Sequence, residues 1–234
     1  MKQNNREFIL VNKKNEAESI TSLFFKTADD LDYDYLAGQY VNIKPLSDSS
    51  HSKSYTISSY PYEKLVCLTI KRIGNTSSAL IDFPIGGRLI FDGPYGNFYP
   101  GEDNNGLVMI AGGIGITPFY SVIKDRIKSK SKSKITLLYS NKTMNGTAFF
   151  DELNMLAKKN QQFKVVYAIT QEKIRHPLVQ EYTRINAKIL KKHLASPDKK
   201  DYYICGSIQF VNDMWKLLKD NDVPESNIFT ESFF

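Results

Sequence analysis

Cysteine is nearly absent from this 234-residue chain: Cys67 and Cys205 are the only two, far apart and in separate apolar segments. They form no metal-ligand spacing, and an iron–sulfur cluster needs about four protein ligands. No metal site is therefore expected, and any electron relay beyond an organic cofactor has to sit on a partner. Long hydrophobic runs are missing too. Nothing approaches the roughly 18 apolar residues of a membrane span, so no membrane association is expected. The opening Met-Lys-Gln-Asn-Asn-Arg-Glu has neither the apolar stretch of a secretion signal nor the Arg/Ser bias of a transit peptide. A soluble, cytoplasmic protein is the expectation.

What is present is ordinary globular composition, 41% hydrophobic and 24% charged, on a chain long enough for two compact domains. The net charge of +6 is placed unevenly. Residues 1–100 carry 11 Lys/Arg against 11 Asp/Glu, and residues 101–234 carry 20 against 14. The second half holds all the excess, which suits phosphate-rich cofactors or an acidic protein partner and equally suits a solvated lysine-rich surface. The basic run 124–134 alternates with serine and lacks interleaved aromatics to stack bases, so nucleic acid is not the expected partner.

The first hundred residues read as short strands between turns, with candidates at 20–25, 38–44, 53–58, 65–72 and 88–92. Val41 and Ile43 face opposite to Asn42 and Lys44, and Val66, Leu68 and Ile70 opposite to Cys67, Thr69 and Lys71, the period of a strand with one buried face. A short apolar helix at 77–83 interrupts them. An antiparallel Greek-key β-barrel over residues 1–101 accounts for the pattern. The turn-like segment Gly-Glu-Asp-Asn-Asn-Gly, residues 101–106, marks the boundary.

From Gly106 strands and helices alternate. The continuous apolar run 107–111 reads as a strand buried on both faces, followed by a helix with Phe119, Val122, Ile123 and Ile127 on one stripe. The pattern repeats at 135–140 with Phe149, Phe150, Leu153 and Leu156, at 163–170 with 187–194, and at 201–205 with Val211, Met214, Leu217 and Leu218. A last strand covers 227–231. Residues 106–234 are thus expected to be an α/β domain with a doubly wound, five-stranded parallel sheet.

The strongest single motif is Ala111-Gly112-Gly113-Ile114-Gly115-Ile116-Thr117-Pro118, between the first parallel strand and its helix. Glycines there let backbone approach a pyrophosphate, and the helix start offers N–H groups and a positive dipole end. Pro118 suits the first helical position, where a missing N–H costs nothing. Pro118 also stands where the dinucleotide fingerprint has its third glycine.

Six motifs in register carry a family resemblance. These are residues 53–59 (Lys-Ser-Tyr-Thr-Ile-Ser-Ser), 74–80 (Gly-Asn-Thr-Ser-Ser-Ala-Leu), 93–96 (Gly-Pro-Tyr-Gly), the 112–118 turn, 205–207 (Cys-Gly-Ser) and 231–234 (Glu-Ser-Phe-Phe). In order and spacing the chain resembles the ferredoxin–NADP reductase-like flavoenzymes over nearly its whole length. The resemblance implies FAD on the barrel, NADPH or NADH on the α/β half, and the two cofactors meeting in the cleft between them.

By the same resemblance Tyr55 packs on the flavin ring, Thr56 hydrogen-bonds flavin N5, and Lys53 meets the pyrophosphate where arginine is usual, keeping the charge without the bidentate fork; Arg72 or Lys71 is the alternative. Ser54, Ile70, Lys71, Gly74, Thr76 and Ser77 complete the FAD set, although residues 74–77 also read simply as a turn with an N-cap. Cys205 lies near the nicotinamide, Gly206 admits it, Glu231 moves protons, and Phe233 or Phe234 covers the flavin. Thr56, Cys205 and Glu231 are the expected catalytic residues. Gly112, Gly113, Gly115, Thr117, Pro118, Ser140, Asn141, Lys142 and Gly206 are the expected NAD(P)H contacts. Residues 140–143 (Ser-Asn-Lys-Thr) carry no acid to accept from the ribose hydroxyls of NADH, so NADPH is favoured.

The implied reaction is hydride transfer from nicotinamide C4 to flavin N5, with electrons passed on to an acidic ferredoxin or flavodoxin. Other readings of the same architecture are a reductase of free flavin, ferric chelates or quinone, a siderophore-associated reductase, or an electron-transfer component of a larger complex.

Overall fold

The computed structural model describes residues 5–45, 52–101, 106–194 and 200–233. The chain divides into two compact units, residues 1–99 with 117–125, and residues 100–116 with 126–234.

In the first unit the described residues form six antiparallel strands: β1 (Arg6–Ala17), β2 (Ile20–Thr27), β3 (Tyr40–Pro45), β4 (Lys53–Thr56), β5 (Val66–Lys71) and β6 (Arg88–Tyr95), with helix α1 (Asn75–Asp82) between β5 and β6. Their order is β4-β3-β6-β1-β2-β5. The two edges meet through the Ile57–Leu68 bridge and the Ser58 N–H, which donates to the Cys67 carbonyl at 2.8 Å. Closure of this kind removes the free edges of the sheet.

β1 is the longest strand, and no hydrophobic alternation announces it. Only Phe8 and Leu10 turn inward; register shifts at 10–12 and 15–17 then break the period, and residues 12–16 are Asn, Lys, Lys, Asn and Glu. It is a strand because β2 pairs with it from Phe8 to Ala17 and β6 pairs with its first residues, Arg6 to Ile9. β5 departs from expectation in the other direction. Its second face is buried as well, because Thr69 Oγ1 joins the Ser22 and Ser58 hydroxyls at 2.7 and 2.8 Å while the Cys67 N–H donates to Ser59 Oγ at 2.9 Å. Mutually satisfied hydroxyls can be buried at low cost.

The barrel interior is filled by Phe8, Leu10, Leu23, Phe25, Val41, Ile43, Ile57, Leu68 and Phe91. Phe91 is its centre: it stacks on Phe8 with ring centroids 4.1 Å apart and meets Phe25 edge-on at 4.9 Å.

The second unit contains the parallel strands β7 (Leu107–Gly112), β8 (Ile135–Asn141), β9 (Phe163–Ile169), β10 (Asp201–Ser207) and β11 (Ile228–Phe233) in the order β11-β10-β7-β8-β9. Helices α2 (Ile116–Lys128), α3 (Phe150–Lys159), α4 (Ala187–His193) and α5 (Ile208–Lys219) connect them. Strands after β7 are added first on one side and then on the other, so the order reverses between β7 and β10. At such a switch point the outgoing loops part and leave a crevice for ligands. Among the described residues no helix is long and apolar enough to cross a membrane, and no group of three or more His, Cys, Asp or Glu side chains is arranged to hold a metal.

Phe91→Ala is expected to lower unfolding free energy by about 3–5 kcal/mol through lost burial and a residual cavity. Urea unfolding followed by circular dichroism checks it; a loss under about 1 kcal/mol would mean that the ring is not central to the barrel.

Candidate functional site

At the switch point of the parallel sheet, β7 ends at Gly112 and runs through a 3-10 turn, Gly113–Gly115, into α2. Gly115 has no space for a side chain: a Cβ there would lie 2.3 Å from the Cys205 carbonyl oxygen and 2.7 Å from the Gly206 nitrogen. The turn is thus pressed directly against the end of β10. Gly113 is the opposite case. Its φ of +55° favours glycine, and a Cβ there would meet nothing within 4 Å. Backbone is presented to open space just where the helix N–H groups begin, and the Tyr139 hydroxyl fixes it by donating to the Gly113 carbonyl at 3.2 Å. Ser140 is the β8 neighbour of Gly112.

Pro118 is the third residue of α2 and not the first, because the 3-10 turn runs straight into the helix and lets it begin at Ile116, two residues earlier than expected. It remains within the first turn of α2, where the Ile116 N–H already bonds back to the Gly113 and Ile114 carbonyls of the 3-10 turn. Thr117 beside it is buried.

Gly112 and Gly206 face one aromatic ring. A Cβ on either would come within 2.8 Å of Phe210, in the first turn of α5. Phe210 is a residue that the motif reading missed; it stands three positions after Ser207, whose hydroxyl caps α5 by accepting from the Phe210 N–H at 3.3 Å.

Cys205 and Glu231 are paired across β10 and β11. The Cys205 thiol is buried, and burial, with the nearby Glu231 charge, pushes its pKa well above the usual thiol value. It is held as a neutral thiol. Burial raises the Glu231 carboxyl from 4.5 to about 7, and its Oε2 is buried without a hydrogen-bond partner among the described residues. An acid so placed keeps its proton near neutrality and can give it up at small cost. Phe233 follows on the same strand beside Ser207, and Phe234 lies outside the described residues.

In the barrel unit, β4 pairs with β3 so that Tyr55 lies opposite Val41 and Thr56 opposite Tyr40. Tyr55 packs half-buried against the core cluster, and burial raises its phenol pKa; Thr56 is buried. The Ser54 hydroxyl donates to Asn42 Oδ1 at 2.7 Å. Lys53 and Lys71 are exposed. The Arg72 guanidinium makes two hydrogen bonds to Asp82, at 2.9 and 2.7 Å, in an exposed ion pair. Ile70 is a core residue, 2% exposed.

Around α1 the Ser77 hydroxyl accepts from the Ile73 and Gly74 N–H groups at 3.0 and 3.1 Å and donates to the Gly74 carbonyl at 3.0 Å. It is spent on the cap, so an anion at this helix end would meet first-turn N–H groups rather than that hydroxyl. Thr76 is exposed, and a Cβ on Gly74 would meet nothing within 4 Å.

Two family models cover most of the chain. One, described as an oxidoreductase FAD-binding domain, matches residues 7–99, and another, an oxidoreductase NAD-binding domain, matches residues 109–216. The chain belongs to the ferredoxin–NADP reductase-like FAD oxidoreductases. It is 30% identical over 231 residues to the flavohemoprotein of Bacillus subtilis (strain 168), covering 94% of this chain and 57% of that protein. It is 36% identical over 126 residues to the NADH-cytochrome b5 reductase 2 of Mycosarcoma maydis, covering 52% of this chain and 35% of that protein. The chain thus spans less than two thirds of the length of either relative. Its fold is that of the flavohem-like FAD/NAD-binding domain of a nitric oxide dioxygenase from Vibrio cholerae O1 biovar El Tor, with a TM-score of 0.87, 24% identity and 99% of each chain covered.

The residues present fit the two cofactors of this ferredoxin–NADP reductase-like family. On the sheet the open Gly113, the side-chain-free Gly115 and the unpaired Glu231 oxygen suit a dinucleotide; on the barrel the half-buried Tyr55 ring, exposed Lys53 and Lys71, and open Gly74 suit a flavin with a pyrophosphate.

Glu231 makes stability depend on pH. Below pH 4.5 folded and unfolded chains both hold its proton; between 4.5 and about 7 the unfolded chain releases it while the folded chain keeps it. Its contribution is therefore complete at low pH and lost as pH rises through about 7. Allowing for its partial exposure, Glu231→Gln should gain about 1–3 kcal/mol on the parent between about pH 4.5 and 7.5. Parallel urea curves across that range check it; a constant gap between the two proteins would contradict the raised pKa.

Proposed function

We propose that this chain is an NAD(P)H-dependent FAD reductase, with FAD carried by residues 1–101 and the nicotinamide nucleotide by residues 106–234, and that it works in the cytoplasm. The observation that carries this reading is the glycine turn at the sheet's switch point, where Gly115 has no room for a side chain and Gly113 stands open. When bound, FAD supplies hydride acceptance and one-electron release.

The chain's own residues supply orientation and protons. First-turn N–H groups of α2 and of α1 hold the two pyrophosphates, helped at the barrel by Lys53. Tyr55 gives an apolar face, and the Thr56 hydroxyl holds a hydrogen bond to flavin N5. The end of β10, with the neutral Cys205 thiol, receives the nicotinamide, and Gly206 serves there by making room for the Phe210 ring. Glu231 holds a proton near neutral pH and delivers it when the charge balance changes.

Electrons leave to a partner protein or domain. The charge excess of the second half supports an acidic one-electron carrier of the ferredoxin or flavodoxin type. A second reading, a haem-bearing acceptor, is favoured by the match over 94% of this chain to a relative whose name joins a flavin to a haem.

Anaerobic titration of the flavin-loaded chain tests the function: NADH or NADPH should bleach the visible flavin band stoichiometrically, and no bleaching by either would overturn it. Thr56→Val should slow flavin reduction in stopped flow by about 10–100-fold, or about 1.4–2.8 kcal/mol of barrier, while flavin absorbance persists. An unchanged rate removes Thr56 from the reaction.

A further inference from the structure

The tip of β8 carries a carboxylate that does not belong to its own loop. Past the last ladder pair, Asn141 with Ile169, the ends of β8 and β9 stay joined. The Asn141 carbonyl accepts from the Thr170 N–H at 3.0 Å and from its hydroxyl at 3.3 Å, and the Lys142 carbonyl accepts from the Gln171 N–H at 2.8 Å. The next residue, Glu172, turns its Oε2 back to accept from the Met144 N–H at 2.9 Å. The β8 loop is firm where this happens: the Gly146 N–H donates to Thr143 Oγ1 at 3.2 Å and the Thr147 hydroxyl to the Thr143 carbonyl at 2.9 Å. Glu172 is half-buried, and its other oxygen, Oε1, accepts from no group among the described residues.

In doubly wound nucleotide-binding sheets the adenosine ribose reaches the tip of the second strand, where an acid accepts from its hydroxyls and a basic group welcomes a 2′-phosphate. Residues 140–143 offer only Lys142, which is exposed on a long flexible stem. Glu172, pinned by a backbone N–H, is the better placed charge.

We propose that Glu172 sets nucleotide choice: its free oxygen accepts from the ribose 2′-hydroxyl, its charge repels a 2′-phosphate, and the chain prefers NADH. This reverses the NADPH preference expected from residues 140–143 and rests on the reading of the second unit as the nicotinamide-nucleotide site. Lys142 acts in the opposite sense and is outweighed because nothing fixes its ammonium near the ribose.

Calorimetric titration of the full chain with ADP-ribose and with 2′-phospho-ADP-ribose tests it without turnover, and kcat/KM for NADH and NADPH with a soluble dye gives a second readout. The parent should bind ADP-ribose at least tenfold more tightly. Glu172→Gln keeps a carbonyl to accept from Met144 and should narrow that ratio tenfold or more, mainly by improving the phosphorylated ligand. Lys142→Ala, which leaves the Glu172 contact in place, should keep or widen the parent's ratio. A parent that prefers the phosphorylated ligand, or a Glu172→Gln ratio equal to the parent's, would overturn the assignment of Glu172 while leaving the nucleotide site standing. Binding of neither ligand to the parent would overturn both.

Discussion

Backbone contact between the turn after β7 and the end of β10 is the constraint on which the α/β half depends. A Cβ on Gly115 would stand 2.3 Å from the Cys205 carbonyl oxygen, closer than any side chain can sit to backbone. That contact sets where α2 begins, leaves Gly113 in a left-handed conformation facing open space, and brings residues 112–115 beside residues 205–207 at the place where strand order reverses. The glycines divide the labour: Gly115 lets two strands' outgoing loops close on one another, Gly113 exposes backbone, and Gly112 and Gly206 make room for the Phe210 ring.

Burial then does the electrostatic work. Cys205 and Glu231 are cross-strand neighbours in a desolvated place: burial disfavours charge on both, and the Glu231 charge further disfavours a thiolate at Cys205. The outcome is a neutral thiol and a carboxyl poised near pH 7. In the barrel the same principle runs the other way: hydroxyls of Ser22, Ser58, Ser59 and Thr69 are buried because they satisfy one another and the Cys67 backbone, which lets β5 lie buried on both faces without an apolar outer row.

What was legible in the sequence was chain-local. Alternation over 41–44 and 66–71 marks β3 and β5, apolar runs mark the parallel strands, and the spacing of Gly112, Gly113 and Gly115 marks a strand–turn–helix junction, because each of these patterns is imposed within a few consecutive residues. β1 was not legible, since its outer half is polar and bulged and its conformation comes from pairing with β2. Glu172 was hidden for a related reason. Parallel neighbours are separated in sequence by a whole helix, so the acid at the β8 tip is written after β9. Arg72 and Ile70 show the converse: a motif position says which residue is near, and only packing says whether its side chain is free, paired or buried.

The most direct measurement is ADP-ribose binding by Gly115→Ala beside the parent, with circular dichroism to confirm that both are folded. A methyl at position 115 must separate the turn from the Cys205 carbonyl, and affinity should fall by at least about tenfold, the equivalent of about 1.4 kcal/mol. Equal affinity in a folded Gly115→Ala protein would contradict the claim that this backbone contact builds the nucleotide site.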